Sequence, residues 1–326
     1  MPKELISDFI AGWLAGGAGL LAGHPLDTIK VRLQAFHHYG NVLHCVKTTL
    51  KEEAVGGFYK GMLAPFMTVG FLHSVYFSGY GATLKYLNPH HDTKDTNFQA
   101  PISQVIIASG VGAAAQWFFT VPVEVVKVKL QVQRESSGAG HLWQASHYRQ
   151  PRESRLYAGP LNCALRLQRE FGFFHGLYRG AGVTFIRDVV GFSFYLPMFE
   201  LLQRFCTSFS VQFASKTASL HLEEQPKQEP SLLVTLFAGG VAGMTTWLSI
   251  LPLDMVKSRV QAQDWRHPIY DGAWDCTVKT WESEGLRAFY RGASVIALRS
   301  FPVNAILFLV YTRTLKFLDD RIRDLD

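Results

Sequence analysis

Six charges set in three matching patterns are the first residues in this chain that could do chemistry. PLDTIKVRLQ at 25–34, PVEVVKVKLQ at 122–131 and PLDMVKSRVQ at 252–261 each place an acid two residues beyond a proline and a lysine five residues beyond it. The acids are Asp27, Glu124 and Asp254; the lysines are Lys30, Lys127 and Lys257. All six follow strongly apolar stretches, where an unpaired charge is very costly. Pairing between segments satisfies them: Asp27 with Lys127, Glu124 with Lys257 and Asp254 with Lys30.

A second constellation follows. Seven residues past the glycines of Tyr59-Lys60-Gly61, Tyr178-Arg179-Gly180 and Tyr290-Arg291-Gly292 stand Thr68, Arg187 and Arg299, and Asp188 adjoins Arg187. Ionisable residues inside apolar spans default to function. Two arginines and one acid suit a zwitterion, with its carboxylate on Arg299 or Arg187 and its cationic nitrogen on Asp188. Trp117 and Trp247, each five residues before a signature proline, offer indole faces to a methylated or quaternary ammonium. No nucleophile–base set, metal-ligand spacing or phosphate-cradling glycine loop stands out, so the expectation is a protein that is not an enzyme and uses no metal or other cofactor.

The elements that position these residues are apolar helices. Proline inside a helix removes a backbone donor and kinks it, so three such helices around one axis converge at their proline ends and gather the charges into a ring. Small-residue pairs on the same segments (Gly12 and Gly16, Gly19 and Gly23, Gly110 and Ala114, Gly239 and Gly243) allow close helix approach. Tyrosine and cysteine six residues apart recur at Tyr39 and Cys45, Tyr157 and Cys163, and Tyr270 and Cys276, which makes the cysteines repeat markers and not a metal cluster. The expected fold is an all-α membrane protein: six transmembrane helices in three pseudo-three-fold-related repeats, each with a short extra helix. Repeat 1 covers 1–88, repeat 2 covers 98–206 with a polar loop insert at 133–156, and repeat 3 covers 231–318. A flexible linker occupies 207–230.

Composition narrows the class. Charged residues make up 18% of the chain, against roughly 25% in soluble domains. The net charge of +6 would also suit nucleic acid. However, segments 30–60, 127–179 and 257–291 hold 5, 9 and 6 of the 32 basic residues. Each follows an apolar stretch, as loops kept on one side of a membrane do. A nucleic-acid partner is therefore excluded in favour of a membrane-embedded chain with a small-molecule substrate.

The tripled Pro-x-[Asp/Glu]-x-x-[Lys/Arg] signature, followed by acid-Gly and then aromatic-base-Gly, resembles the mitochondrial carrier family over essentially the whole chain. Two departures stand out: Ala54 where glycine follows the acid, and Phe171 where the acid precedes Gly172. The resemblance implies that the six charges form a gate on the matrix side, where the short helices also lie, and that Gln34, Gln131 and Gln261 brace it. It implies that Gly61, Gly180 and Gly292 belong to cardiolipin contacts, with backbone donors at a helix start suited to phosphate. It makes Thr68, Arg187 and Arg299 mid-membrane contact points for substrate. The Arg187-Asp188 pair is similar to that of the carnitine/acylcarnitine and basic amino acid branch. A cytoplasmic gate of aromatic-acid-x-x-base motifs survives only as Phe199-Glu200, with Gln203 in place of the base, which implies a resting state open to the cytoplasm. The expected activity is alternating-access exchange of a small zwitterionic or cationic metabolite across the mitochondrial inner membrane. The expected protein is a multi-pass monomer with both termini toward the intermembrane space. The alternatives are a proton or ion leak on the same scaffold, or a nucleotide or carboxylate substrate.

Overall fold

The structure is a computed structural model that describes residues 2–36, 39–89, 100–133, 157–217 and 232–323. Six long helices form the body: α1 (Pro2–Ala35), α3 (Leu63–Leu87), α4 (Ile102–Val132), α7 (Ala181–Thr217), α8 (Leu232–Ala262) and α11 (Ala293–Arg323). Short helices α2 (Val42–Glu53), α5 (Pro160–Phe171) and α9 (Ala273–Glu284) link them in pairs. Each short helix leads into a tight turn: a 3₁₀ turn at Val55–Tyr59, α6 (Phe173–Leu177) and α10 (Leu286–Phe289). The long helices contact one another in chain order and the last closes on the first, while α1, α4 and α8 also touch pairwise at the centre. The fold is thus three copies of a long–short–long unit around one axis.

The long helices exceed the roughly 20 residues needed to cross a bilayer, and large apolar side chains such as Leu14, Phe71, Ile107, Phe119, Ile186 and Leu298 lie exposed on them. Two described stretches, Ile102–Val132 and Leu286–Leu318, are long and apolar enough by themselves to span a membrane.

Pro25, Pro122 and Pro252 lie within α1, α4 and α8, and each helix continues past its proline. A proline frees the carbonyl one turn earlier. At Pro122 that carbonyl belongs to Phe118, and the Tyr178 hydroxyl donates to it at 2.9 Å. The tyrosine of the Tyr-base-Gly motif therefore repairs a proline defect in the helix beside it.

Three equivalent apolar cores bind each short helix to its signature helix. Cys45 packs with Ile29, Leu33 and Tyr39; Cys163 with Val126, Leu130 and Leu167; Cys276 with Val256, Val260 and Tyr270. All three thiols are free and buried. Burial pushes Cys163 up to about 12 and Cys276 up to about 11, which keeps both protonated and unreactive at neutral pH. Residues 134–156 of the predicted insert and 218–230 of the predicted linker lie outside the described residues. Helix α7 runs on to Thr217, so 207–217 is helix where the sequence composition indicates linker.

The Ala54 departure has a physical consequence. Its repeat equivalents Gly172 and Gly285 end α5 and α9 at φ +83° and +70°. Ala54 ends α2 with φ +53° and ψ −158°, a region that a Cβ disfavours. Ala54→Gly is expected to raise stability by about 1 kcal/mol, read as a higher unfolding temperature in detergent. Gly172→Ala is expected to lower it by a similar amount.

Candidate functional site

The three central helices carry their signature charges to one level of the bundle, where they pair between repeats. Lys127 Nζ lies 3.0 Å from Asp27, Lys30 Nζ 2.6 Å from Asp254, and Lys257 contacts Glu124. These are the pairs that the sequence spacing predicts. All six side chains are at least largely buried, and pairing each charge is what makes that burial tolerable.

Two arginines join this ring. Arg187 donates from Nη1 to Asp254 Oδ1 at 3.1 Å and from Nη2 to both oxygens of Glu124 at 2.9 and 3.1 Å. Its Nε and Nη2 also contact Asp188 Oδ1. Arg299 Nε lies 2.9 Å from Asp27 Oδ1 as an ion pair without hydrogen-bond alignment. Gly23 makes that approach possible, since a Cβ there would come within 2.9 Å of the same Nε. Every ring carboxylate thereby gains a lysine and an arginine. The third equivalent position holds Thr68, whose hydroxyl donates to Ala64 O at 2.9 Å in its own helix. Arg187 serves Glu124 as well as Asp254, covering the acid that Thr68 cannot reach.

Beside the ring lies a cavity of about 310 Å³ between α4, α7 and α8. Gln116, Thr120, Asp188, Thr246, Trp247 and Tyr195 are among the residues that line it. Arg187 forms part of its wall but its donors are committed to carboxylates. Asp188 uses one oxygen for Arg187, and its Oδ2 is buried without a partner. Trp247 connects cavity and ring: Lys30 Nζ is 4.7 Å and the Arg299 guanidinium carbon 5.9 Å from its ring centroid.

The remaining sequence expectations divide. Trp117 does not line this cavity; its indole donates to Ala181 O at 3.0 Å and packs edge-on against Phe185 and Tyr178. Thr68 does not line it either. Gln34, Gln131 and Gln261 are fully buried, but the hydrogen bonds they make do not go to the ring charges. Gln131 Nε2 donates to Thr28 Oγ1 at 3.2 Å, Gln261 Nε2 to Arg179 O at 3.4 Å, and Gln34 Oε1 accepts from Ser258 at 3.0 Å. Each bond crosses from one repeat to another. Gly61, Gly180 and Gly292 adopt φ of +79°, +76° and +87°. At Gly61 a Cβ would sit 2.7 Å from Lys127 O, so this glycine lets one repeat press against the signature helix of the next. Glu200 stands on α7 beside Phe199, whose ring stacks on Tyr195 at 6.4 Å; the side chain of Gln203 lies outside the described residues.

One network escaped the sequence reading. The second base of each signature is also buried. Arg32 donates to Gln131 O (3.1 Å), Thr49 (3.0 Å) and Glu53 (2.8 Å); Arg259 donates to Gln34 O (3.1 Å), Thr280 (2.9 Å) and Glu284 (2.6 Å). Repeat 2 replaces the whole set. Lys129 donates to Gln263 O at 2.7 Å and sits 4.0 Å above the Trp265 ring, which meets Phe171 at 5.5 Å. Phe171 was visible as a missing acid; its coupling to Lys129 in place of arginine was the available signal.

A closed ring of six membrane-length helices in three repeats, with buried charges around its axis and a lined cavity beside them, defines a membrane transporter and not an enzyme. The family described as "Mitochondrial carrier protein" matches residues 2–91, 98–210 and 228–321, and the chain belongs to it. It is 34% identical to human solute carrier family 25 member 48 over 95% of both chains. It is 34% identical to human solute carrier family 25 member 45 over 97% of this chain and 99% of that one. The rat protein named mitochondrial basic amino acids transporter is 33% identical over 95% of this chain and 89% of its own.

Charge reversal separates the pairs. Breaking a buried pair costs about 3–5 kcal/mol, so Lys127→Asp and Lys30→Asp are each expected to lower the unfolding temperature in detergent sharply. Adding Asp27→Lys to the first is expected to recover part of the loss, because Arg299 keeps 21% of its side chain exposed and can move away from the new ammonium. Adding Asp254→Lys to the second is expected to recover little, since it sets an ammonium against Arg187, which is 8% exposed and fixed by other acids. Equal recovery in both doubles would contradict the arginine assignments.

Proposed function

We propose that this carrier moves a small zwitterionic or cationic metabolite (an amino acid, a methylated amino acid or a carnitine-like compound) across the mitochondrial inner membrane by alternating-access exchange. The observation that carries this reading is the Asp188 carboxylate on the cavity wall, with one oxygen buried and unpartnered. Each of the three Arg187 nitrogens already bonds a carboxylate of the chain, which favours the cationic end of the substrate at Asp188 and its carboxylate at Arg299. Trp247 lines the cavity with Asp188, and its ring centroid is 5.9 Å from the guanidinium carbon of Arg299, which stands outside the cavity lining. The name of the basic amino acid relative supports the same substrate class.

The paired ring then acts as the matrix gate, closed in this conformation, and the three glutamines hold adjoining repeats together when it is closed. Glu200 is the remnant of the opposite gate, and the cytoplasm-open state is the resting one. Gly61, Gly180 and Gly292 start long helices whose first backbone donors suit the phosphates of cardiolipin. Both termini face the intermembrane space and the monomer is the working unit. The carrier repeats run over 1–88, 98–206 and 231–318.

Reconstitution tests the reading. Proteoliposomes are expected to take up at least one labelled cationic or zwitterionic solute, and Asp188→Asn and Arg299→Ala are each expected to reduce that uptake at least tenfold, about the loss of one charge-assisted hydrogen bond. Uptake confined to nucleotides or dicarboxylates, or proton conductance without solute exchange, would overturn it.

A further inference from the structure

We infer that the substrate of this carrier presents a primary ammonium group, and that Gln116 and Thr246, together with Asp188, select it over its N-methylated forms. The inference rests on the proposed function and sharpens it.

Three buried polar atoms without hydrogen-bond partners belong to residues lining the one cavity: Asp188 Oδ2, Gln116 Oε1 and Thr246 Oγ1. Their residues are 5%, 6% and 4% exposed, so bulk water does not stand in for a partner. A carboxylate oxygen and an amide oxygen can only accept, and a hydroxyl can also accept. Thr246 is available for this because it does not bond back to its own helix. Nearby Thr120 does, donating to Gln116 O at 3.2 Å, as Thr245 does to Val241 O at 2.9 Å and Ser249 to Thr245 O at 2.8 Å. A buried acceptor left without a donor is rare in a native fold and points to a ligand that supplies one.

The three residues come from three different helices, α4, α7 and α8, and line the same cavity. A primary ammonium has three N–H donors and one positive charge, which matches three acceptors of which one is a carboxylate. A quaternary ammonium has no N–H, and seating it here would leave Gln116 and Thr246 unsatisfied beneath its methyl groups. Trp247 gives the pocket an aromatic wall that either cation tolerates, so the polar atoms decide. Gln116 and Thr246 stand six residues before Pro122 and Pro252, where repeat 1 has Gly19, at which an added Cβ would come within 3.5 Å of Val303. The acceptor pocket is therefore confined to the interface of repeats 2 and 3, off the three-fold axis.

The test uses the full-length carrier in proteoliposomes and pairs of solutes that differ only in N-methylation: glycine with glycine betaine, ethanolamine with choline, 4-amino-3-hydroxybutyrate with carnitine. At least one primary amine is expected to be taken up, with its trimethyl partner competing at least tenfold less well, because a site built to hydrogen-bond a group rejects the analogue that lacks it. In the double variant Gln116→Leu with Thr246→Val that preference is expected to fall below about threefold. Gln116→Glu, which keeps acceptor oxygens at the site, is expected to retain it. The double variant is also expected to unfold at or above the temperature of the unmodified carrier, because it removes buried polar atoms that have no partner in the folded chain. Equal or better transport of the trimethyl form leaves the cationic-substrate reading standing and overturns this inference. So does an unchanged preference in the double variant, or a loss of its thermal stability. Failure to carry either member of any pair removes both.

Discussion

Burial of charge around the axis is the constraint on which the rest of the structure depends. Asp27, Glu124 and Asp254 sit where three apolar helices converge, and a carboxylate there persists only with close cationic partners. The chain supplies two to each: Lys127 and Arg299, Lys257 and Arg187, Lys30 and Arg187. Because every lysine partner comes from a different repeat, the charges also fix how the repeats meet. The packing around them serves the same end. Gly23 clears a path for Arg299, Gly61 brings one repeat against the Lys127 carbonyl, and the buried glutamines tie neighbouring repeats beyond the ring.

Three-fold repetition explains most of the molecule, and its failures show where the chain has specialised. The cysteine-centred cores and the lysine–acid pairs obey the repeat. The arginines do not: Thr68 leaves one acid without its equivalent partner, and Arg187 spans the gap by serving two. The outer networks of Arg32 and Arg259 are copies of each other, while repeat 2 exchanges ion pairing for a lysine over an indole. Gln116 and Thr246 replace a glycine position and open a polar pocket on one side only. Asymmetry of this kind is what a small asymmetric solute requires, since a strictly three-fold site would offer it the same contact three times.

The architecture was legible in the sequence because it is written three times. Repetition of proline, acid and lysine at fixed spacing gave the helices, their order and the pairing of Asp27, Glu124 and Asp254 with their lysines. The site was only half legible. Counting along the repeat located Arg187, Asp188 and Arg299, but position alone cannot say which side chains an arginine reaches, and both arginines turned out to complete the ring. Trp117 and Trp247 occupy the same repeat position, yet one indole lines the cavity and the other bonds to Ala181 O between helices. That difference lies in neighbours distant along the chain, Phe185 and Tyr178 in one case and Lys30 and Arg299 in the other. Gln116 and Thr246 were invisible because neither is charged, and what marks them is the absence of a partner, a property that exists only in three dimensions.

Arg187 is the point at which the cavity and the ring become one system. Its guanidinium holds Glu124 and Asp254 across the repeat interface while its Nε holds Asp188 Oδ1, so Asp188 is charge-coupled to two of the three ring acids through one side chain. A cation placed at Asp188 competes with Arg187 for that carboxylate and repels the guanidinium directly. A carboxylate placed at Arg299 competes in the same way with Asp27. A zwitterion bound across both therefore weakens ring contacts from two sides, whereas either charge alone weakens one. A ligand moves a conformational equilibrium only by its differential affinity for the states, and here that difference has a structural origin. On the proposed reading, Arg187 and Arg299, which hold the ring acids, are also the groups that the two charges of a zwitterion disturb.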